Sequence, residues 1–395
     1  MALRTLDGVD VSGKRVVVRV DFNVPIENGE ILDDTRIRAA LPTLRRLLDG
    51  GASLVLISHL GRPKGKVNPD LSLRPVAQRL AELLDRPVIL SDDVVGEDAQ
   101  QKAAKLDPGD ILLLENVRFE PGEEKNDDAL ARELAGFGDL FVNDAFGAAH
   151  RAHASTAGIA DHLPSYAGDL MVAEVEALGD LTKDPARPFV AVLGGAKVSD
   201  KIGVIENLLT LVDAVLLGGG MANTFLLAEG KGIGDSLVED DFVETANDVI
   251  AKAQDSGVDL LLPVDVIAAQ GIDGEAATID ADSIPDNWSA FDIGPRTIQN
   301  YSAVIADAKT IFWNGPMGVF ERARFAKGTF EIAKAVAESE AFSVVGGGDS
   351  VSAIEQSGLA DRISHISTGG GASLEFIEGR SLPGIAALDD ASADS

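Results

Sequence analysis

The sequence predicts an α/β protein with two doubly wound parallel-sheet (Rossmann-like) domains joined by a helical hinge. Short β-branched runs alternate with amphipathic stretches along the chain, which is typical of strand-helix-strand units on a parallel sheet. With 395 residues, 45% of them hydrophobic, the chain is long enough for two cores. Near its middle, a helical pattern is followed by a segment with two prolines, which interrupts the alternation.

The first half predicts five strands, at 15–20, 53–58, 87–90, 111–115 and 139–144. Amphipathic segments between them predict helices, for example at 35–49 and 74–85. The segment 169–181 places Met171, Val175 and Leu178 on one helical face before the proline-containing stretch "TKDPARP". We therefore place the first domain at 1–168 and a hinge helix with its linker at 169–184.

The alternation resumes in the second half. Strands are predicted at 188–193, 213–218, 258–263, 310–314, 342–347 and 363–367. The second domain is expected to cover 185–380. A C-terminal segment, 381–395, ends in the acidic stretch "LDDASADS" and is expected to be a frayed tail.

Composition excludes several classes of function. The net charge of −30 opposes nucleic-acid binding, which needs clustered lysine and arginine. The absence of cysteine excludes disulfides, a thiol nucleophile and thiolate metal ligands. There is no run of 18 apolar residues and no signal-like N-terminal segment, so we expect a cytoplasmic protein without a membrane partner.

The charge is distributed unevenly. Residues 1–170 carry a net charge of −8, whereas 171–395 carry −22. Aspartate exceeds glutamate and arginine exceeds lysine, so we hypothesise a halophilic-type acidic surface whose self-repulsion needs screening by salt. Stability and activity that peak in dilute buffer would refute this hypothesis.

Cationic and polar side chains follow the predicted strands of the first half. Because ligands of open parallel sheets bind beyond the carboxyl ends of the strands, these positions predict a site for a small, multiply anionic ligand. The alternative is that the arginines form surface ion pairs and that the histidines are hydrogen-bonded within their loops. The recurrence of such residues at four strand ends disfavours this alternative. The residues are Asp21, Asn23, Arg36, His59, Arg62, Glu115, Arg118, Asp144, His150, Arg151 and His153.

The strand ends of the second half are rich in glycine. Glycine lets backbone N–H groups approach an anion, and a following helix directs its positive dipole end to the same place. A single such loop is often a plain turn, but five of them in one domain favour a nucleotide site. They lie at 194–201, 218–225, 314–321, 346–350 and 368–373.

Familiar nucleotide motifs are missing. No G-x-G-x-x-G occurs, which disfavours a dinucleotide-dependent hydride-transfer enzyme. The segment 8–15, "GVDVSGKR", imitates a P-loop but precedes its strand, so we reject it. Phosphoryl transfer fits what remains, with Lys197 and Lys201 as cations and Asp349 as a Mg²⁺ ligand. The alternative for Asp349 is helix N-capping.

Seven segments closely resemble the phosphoglycerate kinase family, in the family's order and across nearly the whole chain. The resemblance implies reversible phosphoryl transfer between 1,3-bisphosphoglycerate and Mg-ADP, giving 3-phosphoglycerate and ATP. It also implies that the protein is a monomer, as members of the family usually are. The segments are "RVDFNVP" (19–25), "SHLGRP" (58–63), "LENVRF" (114–119), "GGAKVSDKI" (194–202), "GGGMANTF" (218–225), "WNGPMGVFE" (313–321) and "STGGGASLEF" (367–376).

The resemblance implies roles for individual residues. Matching positions imply a 3-phosphoglycerate pocket of Asp21, Asn23, Arg36, His59, Arg62, Arg118 and Arg151. The implied nucleotide site comprises Lys197, Lys201, Gly218, Gly219, Gly294, Asn314, Glu321, Gly346, Gly347, Gly348, Asp349 and Ser350, with Asp349 on Mg²⁺ and Glu321 near the ribose. The implied catalytic groups at the transferring phosphoryl are Arg36, Lys197, Gly370 and Gly371, and glycines 369–371 are expected to lie outside the helix that follows.

Two other functions remain possible at this point. One is an NAD-dependent dehydrogenase on a similar fold, which a nicotinamide absorbance change with hydroxy acids would reveal. The other is a nucleotide-sensing module without turnover, although such a module does not require the anion-binding residues of the first half.

Overall fold

The computed structural model describes residues 3–389 and divides into two compact units. Unit one comprises the described parts of Met1–Glu176 and Ser381–Ser395, and unit two is Ala177–Arg380. Each unit contains a six-stranded, all-parallel sheet with helices, so the predicted α/β class with two parallel-sheet domains is confirmed. The division between the units falls inside one helix, Asp169–Thr182.

The sheet of unit one has the strand order β5-β6-β4-β1-β7-β8. The five predicted strands are present. Four of them end one or two residues earlier, because the chain leaves the sheet where the polar side chains begin, and the one predicted at 87–90 begins later and is only Ile89–Leu90. A short hairpin and the strand Ser165–Ala167 were not predicted. The elements are β1 Arg15–Arg19, β2 Ile26–Glu27, β3 Glu30–Ile31, α1 Thr35–Asp49, β4 Ser53–Ile57, α2 Arg74–Leu84, β5 Ile89–Leu90, α3 Glu97–Ala103, β6 Ile111–Leu113, α4 Asp128–Ala135, β7 Leu140–Asn143, β8 Ser165–Ala167 and α5 Asp169–Thr182.

Helices cover both faces of this sheet. Successive strand side chains point to opposite faces, so Val16 and Val18 pack with Leu44 of α1 and Val76 of α2. Val17, between them, belongs to the opposite layer, which includes α3 and α4. Two buried faces explain why the strands are continuous apolar runs instead of alternating ones.

Unit two has a parallel sheet of order β12-β10-β9-β17-β18-β19 and a second, antiparallel sheet of order β14-β13-β16. The parallel strand predicted at 310–314 is found with the same bounds, whereas the other five are one to three residues shorter, and 363–367 reduces to His365–Ile366. The elements are β9 Phe189–Leu193, α6 Ile202–Leu208, β10 Ala214–Leu217, α7 Gly219–Ala228, β11 Gly232–Ile233, α8 Val243–Ser256, β12 Asp259–Leu261, β13 Asp265–Ala269, β14 Ala276–Asp280, β15 Ser283–Ile284, β16 Ser289–Ile293, α9 Pro295–Asp307, β17 Thr310–Asn314, α10 Lys327–Glu338, β18 Phe342–Gly346, α11 Gly348–Ser357, β19 His365–Ile366 and α12 Gly371–Ile377.

The antiparallel sheet is a departure from the sequence prediction. Its strand β14 reads "AATID" and alternates exposed with half-buried residues, so it lacks the apolar run by which the other strands were recognised. Its partner β13 pairs on both sides, with β14 and with β16. The sheet packs its own small core, which includes Leu226 of α7 and Val266.

The C-terminal segment completes unit one. The helix α13 (Pro383–Ala386) returns to the N-terminal part of the chain, where the Gly384 amide donates to the Ala149 carbonyl at 2.8 Å. The Arg4 amide likewise donates to the Leu388 carbonyl at 3.0 Å. Residues 390–395 of the expected acidic tail lie outside the described residues. Between residues 3 and 389, every helix is too short or too polar to cross a bilayer.

A buried carboxylate starts α5. Asp144 Oδ1 accepts hydrogen bonds from the amides of Leu170 at 3.0 Å and Met171 at 3.3 Å, and Oδ2 is buried without a partner among the described residues. Any side chain at Gly168 would collide with it, since a Cβ there would lie 2.1 Å from Oδ1. Burial outweighs the bonds to Thr43 and the amides and raises the pKa of Asp144 to about 8.

We expect Asp144→Asn to flatten the pH dependence of stability. Because the folded-state pKa exceeds the ordinary 3.8, folding favours the protonated acid. Its contribution is complete below pH about 4 and is lost as the pH rises to about 8. The difference in unfolding free energy between variant and wild type should therefore move in favour of the variant by about 2 kcal/mol or more from pH 5 to pH 8. Urea unfolding at both pH values measures it, and an unchanged difference would contradict the assignment.

Candidate functional site

Unit one brings the predicted anion-binding residues to four neighbouring strands. The strands β6, β4, β1 and β7 are adjacent and parallel, so their carboxyl ends lie side by side. Asp21 follows β1, His59 follows β4, Arg118 follows β6 and Arg151 follows β7. The helix α1 adds Arg36 from its first turn.

Arg36, Asp21 and Asn23 form one hydrogen-bonded group. Arg36 Nη1 lies 3.3 Å from Asp21 Oδ2 and donates to the Asn23 carbonyl at 3.1 Å. The Asn23 side chain accepts from the Gly61 amide at 2.9 Å, which ties the loop after β1 to the loop after β4. The Arg36 side chain remains about one-third exposed, so its guanidinium can also reach a ligand.

His59 and Arg118 are buried at the same edge. Arg118 Nη1 donates to the Gly61 carbonyl at 2.7 Å. Burial lowers the pKa of His59 well below 6.5, and the positive charges of Arg19, Arg118 and Arg36 add to the effect although Asp21 opposes it. His59 is therefore a neutral hydrogen-bonding group at pH 7.

The other residues of this half fall into two groups. Arg62 and Arg151 are exposed, and neither side chain is hydrogen-bonded to the buried His59 or Arg118. The positive charge of Arg151 nevertheless contributes to the lowered pKa of Arg118. Glu115 instead holds the turn before α2, accepting from the Ser72 hydroxyl at 2.6 Å and the Leu73 amide at 2.8 Å. Asp144 and Glu115, both strand-end acids, therefore support the fold.

Sequence reasoning missed a buried network beneath this edge. Arg19, the last residue of β1, is 1% exposed and contacts both His59 and Ser155. Ser155 in turn donates to Glu123, whose side chain is fully buried. Glu123 lies in the turn "GEEKND", which reads as solvent-exposed, so no signal in the sequence distinguishes it.

Unit two brings five strand ends together in the same way. The strands β10, β9, β17, β18 and β19 are adjacent and parallel. Lys201 Nζ donates to the backbone carbonyl of Asn314 at 3.1 Å and contacts its side-chain oxygen, and Asn314 Nδ2 donates to the Gly346 carbonyl at 2.9 Å. The Ser350 hydroxyl accepts from the Gly315 amide at 2.5 Å. These bonds join the ends of β17 and β18 to the start of α6.

The same loops line a cleft of about 240 Å³. Its walls carry two lysines and two exposed carboxylates among glycines, and the lysines and glycine amides are suited to phosphate groups. Burial lowers the pKa of Lys201 to about 8, while Asp200 and Asp349 oppose the shift. The lining residues are Gly195, Ala196, Lys197, Asp200, Lys201, Asn314, Gly315, Pro316, Gly347, Gly348, Asp349 and Ser350.

Asp349 does not cap a helix. Gly347 is the N-cap of α11, and no side chain bonds to the cap position, so the capping alternative for Asp349 is wrong. Gly347 adopts φ of +89°, and a Cβ there would lie 2.8 Å from Asn314 Nδ2. Only glycine fits this turn. The carboxylate of Asp349 is thereby left exposed in the first turn of α11.

The final glycine loop differs slightly from the prediction. Gly370 is the N-cap of α12 with φ of +52°, but Gly371 is already the first helical residue, so the expectation that glycines 369–371 all lie outside the helix is wrong for Gly371. Apart from its chain neighbours and the backbone of its own helix, a Cβ on either residue would meet no atom of unit two within 4 Å. The space in front of this helix start is therefore open to a ligand.

The remaining predicted residues lie around the cleft. Gly218 and Gly294 are the N-caps of α7 and α9, and Gly346 ends β18, whereas Glu321 is exposed and lines neither hollow of this edge. A small, largely apolar hollow is lined by residues of which most were not predicted. The lining includes Gly219, which was predicted, and Ala222, Val266, Phe291 and Met317, which were not.

A larger depression lies elsewhere in unit one. It measures about 520 Å³ and is bordered by the β2–β3 hairpin, α1 and α2. Asp34 bonds both Arg38 and Arg79, and Arg79 also bonds Glu82, while Glu30 and Asp33 add two further acids to the lining. Because the acids outnumber the arginines there, the depression does not suit an anionic ligand, and size alone does not make it the functional site.

Comparison with known proteins decides the family. A family model described as phosphoglycerate kinase matches residues 6–380. The chain belongs to the phosphoglycerate kinase family. Enzymes of this family are glycolytic phosphotransferases, and this chain accordingly catalyses reversible phosphoryl transfer between 1,3-bisphosphoglycerate and ADP, giving 3-phosphoglycerate and ATP.

Individual relatives agree with the family match. The phosphoglycerate kinase of Chloroflexus aurantiacus is 59% identical over 399 residues, covering 99% of this chain and all of the relative. That of Moorella thermoacetica is 56% identical with the same coverage. The solved phosphoglycerate kinase structures from Coxiella burnetii and Pyrococcus horikoshii match with TM-scores of 0.89 and 0.88, at 45% and 38% identity. Each alignment covers 98% of this chain, and 99% and 98% of the respective structure.

Proposed function

We propose that the strand-end group of unit one binds 3-phosphoglycerate and that the glycine-lined cleft of unit two binds ATP or ADP. The main support is the cationic edge made by Arg36, Arg118, Arg62 and Arg151 in a protein of net charge −30. Arginine recognises carboxylates and phosphates in a bidentate manner, and 3-phosphoglycerate carries one of each.

The chemistry needs no general base. When ATP is the donor, the nucleophile is the carboxylate of 3-phosphoglycerate, which is ionised at neutral pH. Catalysis therefore depends on orientation and on neutralising charge spread over the transferring oxygens. Arg36 supplies one cation, Lys197 another, and the amides at Gly370 and Gly371 add N–H donors. Neutral His59 donates a hydrogen bond to the acceptor molecule.

Mg²⁺ is proposed to accompany the nucleotide. No group of three or more histidine or acidic side chains within residues 3–389 forms a metal cage. Two exposed carboxylates, Asp200 and Asp349, border the phosphate cleft, and the family resemblance points to Asp349 as the ligand. This suits Mg²⁺, an ion that usually takes one or two carboxylates and completes its shell with phosphates and water. When bound, the ion neutralises negative charge on the nucleotide phosphates.

The apolar hollow suits the base of the nucleotide. The half-buried Phe291 offers apolar surface near Gly219, whose missing side chain leaves room beside the hollow, which itself measures only about 10 Å³. We assign Glu321 to the ribose from the family resemblance alone. Gly218, Gly219 and Gly294 then line the path from base to phosphates.

We further propose that closure about the hinge segment 169–184 brings the reactants together. The acceptor is assigned to the domain at 1–168 and the nucleotide to the domain at 185–380, so transfer requires the two bound molecules to meet and water to be excluded. A solution scattering profile that does not change with both ligands bound would argue against closure. We also propose a cytoplasmic monomer that binds neither nucleic acid nor membranes.

Nucleotide affinity should fall above pH 8. Lys201 has a pKa of about 8 without ligand, and the phosphates bind its charged form. The nucleotide is therefore expected to raise this pKa, so that binding near pH 8.5 takes up a proton while binding near pH 6.5 does not. Calorimetry in buffers of different ionisation enthalpy measures this uptake. Equal proton uptake at both pH values would contradict the assignment of Lys201.

A coupled assay tests the proposed function. ATP-dependent phosphorylation of 3-phosphoglycerate, linked to oxidation of NADH, should be observed, and it should rise from dilute buffer toward molar salt if the acidic surface needs screening. Absence of turnover at every salt concentration would refute the proposed function. Turnover that is highest in dilute buffer would refute only the proposed salt dependence.

A further inference from the structure

We propose that Arg19, held by Ser155 and Glu123, is a positioning residue that fixes His59 as the Nε2–H tautomer. The inference rests on the proposed function, since it assigns His59 the part of a neutral hydrogen-bond donor to the anionic acceptor. It concerns three residues, Arg19, Ser155 and Glu123, that the sequence comparison with the family did not assign.

The direction of the contact between Arg19 and His59 follows from the chemistry of arginine. Arg19 Nη2 lies 3.1 Å from His59 Nδ1. A guanidinium carries only donors and stays charged, so Nδ1 must be the acceptor and cannot bear a proton. A neutral imidazole with an unprotonated Nδ1 carries its hydrogen on Nε2. The contact therefore selects one of the two neutral forms and disfavours the doubly protonated one.

The rest of the Arg19 side chain is held in place. Nε donates to the Ser155 hydroxyl at 2.8 Å, and Nη1 donates to the backbone carbonyl of Val20. Arg19 is 1% exposed, so its guanidinium has little freedom to turn. Three bonds with different acceptors leave one orientation in which Nη2 meets His59.

Glu123 anchors the other end of this chain of bonds. Its Oε1 accepts from the Ser155 hydroxyl at 2.6 Å and its Oε2 accepts from the Ser155 amide at 3.0 Å. Burial would raise the pKa of Glu123, but the bond from His153, the charge of Arg19 and the Ser155 hydroxyl together lower it. An ionised Glu123 balances the buried charge of Arg19, which would otherwise be unstable there.

His59 Nε2 is left for a ligand. Among residues 3–389, His59 makes hydrogen-bonding and ionic contacts only through Nδ1. Nε2 does not belong to the buried polar atoms that lack a partner, so it keeps some contact with solvent. The imidazole is 6% exposed, so this small opening lies at the ligand edge where Asp21 and Arg36 also sit. Its charged neighbours are Asp21 from the loop after β1, Arg19 from β1, Arg36 from α1 and Arg118 from the turn after β6.

A neutral donor differs in consequence from a cation. The arginines supply positive charge to this edge, while His59 supplies an oriented N–H whose state does not change across physiological pH. Protonation of His59 would place an Nδ1–H against Arg19, two donors facing each other. The network therefore keeps substrate binding independent of the titration that a free histidine would undergo near pH 6.5.

Nitrogen NMR of the ligand-free, full-length wild-type protein tests the tautomer directly. Long-range ¹H–¹⁵N spectra of five histidines are simple, and His59→Gln identifies the relevant signals. We expect Nδ1 to be unprotonated and Nε2 to be protonated from pH 8 down to pH 5.5. A protonated Nδ1, or a titration of His59 near its ordinary pKa, would overturn the proposal. This measurement needs no substrate, so it decides the proposal even if the coupled assay shows no turnover.

A double variant tests the positioning role. Arg19→Met combined with Glu123→Gln removes both buried charges, so neither is left unpaired. We expect the pKa of His59 to rise relative to wild type, because the charge of Arg19 is removed although burial remains. The KM for 3-phosphoglycerate should rise about 10-fold, with the KM for ATP unchanged. The matched control is Ser165→Ala, which removes one buried hydroxyl bond, to the Leu163 carbonyl at 2.7 Å, elsewhere in unit one. Loss of stability without change in the His59 spectrum would overturn the positioning role.

A conservative pair serves if the double variant does not fold. Ser155→Ala removes the acceptor of Arg19 Nε, whereas Ser155→Thr keeps a hydroxyl at that place. Broadened or exchanging His59 nitrogen signals in the alanine variant, restored in the threonine variant, would support the proposal. An unaltered His59 spectrum in both would overturn it.

Discussion

Arg36→Ala is expected to lower kcat by about 100-fold or more. The guanidinium lies beside Asp21 and the Asn23 carbonyl, yet about one-third of the Arg36 side chain remains exposed. Removing one preorganised donor from a developing negative charge typically has an effect of this size. Steady-state kinetics at saturating ATP and 3-phosphoglycerate measure it.

The neighbouring Arg38 gives a matched control for Arg36. It belongs to the same helix, α1, but pairs with Asp34 at 2.8 Å on the exposed side. Arg38→Ala should leave kcat within about twofold of wild type, because surface ion pairs contribute little. Near-normal turnover in Arg36→Ala, or an equal loss in both variants, would show that Arg36 does not act on the transferring group.

Lys197→Ala is expected to have a similar effect on kcat, again about 100-fold or more. Lys197 borders the phosphate cleft and, unlike the buried Lys201, is exposed, so its ammonium is free to reach a phosphoryl group. The difference in burial implies a division of labour. Lys201 should determine nucleotide affinity, whereas Lys197 should act on the group in transfer, so the KM for ATP should change little in Lys197→Ala.

Lys309 provides the comparison for Lys197. It is an exposed lysine of the same unit, but it directly precedes β17 and so lies at the amino end of the sheet, away from the cleft. Lys309→Ala should therefore retain normal kinetics. A loss of ATP affinity with unchanged kcat in Lys197→Ala would reassign Lys197 to binding.

The sequence predicted well which side chains meet at the carboxyl ends of the strands, because position in a parallel sheet is a local property. Asp21, His59 and Arg118 each follow a buried apolar run, and the order of the strands then brings them together. The same reasoning located Lys201 and the glycine loops of unit two. Where a residue acts from a strand end, the chain pattern carries enough information.

Burial of polar groups in turns could not be read from the sequence. Glu123 has an acidic neighbour on one side and a lysine two positions on, a local composition typical of a solvated turn, yet its side chain is 0% exposed. Its burial depends on Ser155 and Arg19, which are 32 and 104 residues away along the chain. The antiparallel strands β14 and β16 were missed for a related reason, since their residues become partly buried only against β13.

The return of the C-terminal segment to unit one has a consequence for synthesis on the ribosome. Unit two, Ala177–Arg380, is contained in one continuous stretch, whereas unit one needs the Gly384–Ala149 and Leu388–Arg4 backbone bonds. The N-terminal part of unit one therefore emerges from the ribosome first, but it cannot complete its fold until residues 384–388 have been synthesised. Unit two, although translated later, can complete its fold first. The edge that carries Arg36 and His59 would then reach its final stability only after residues 384–388 have emerged from the ribosome.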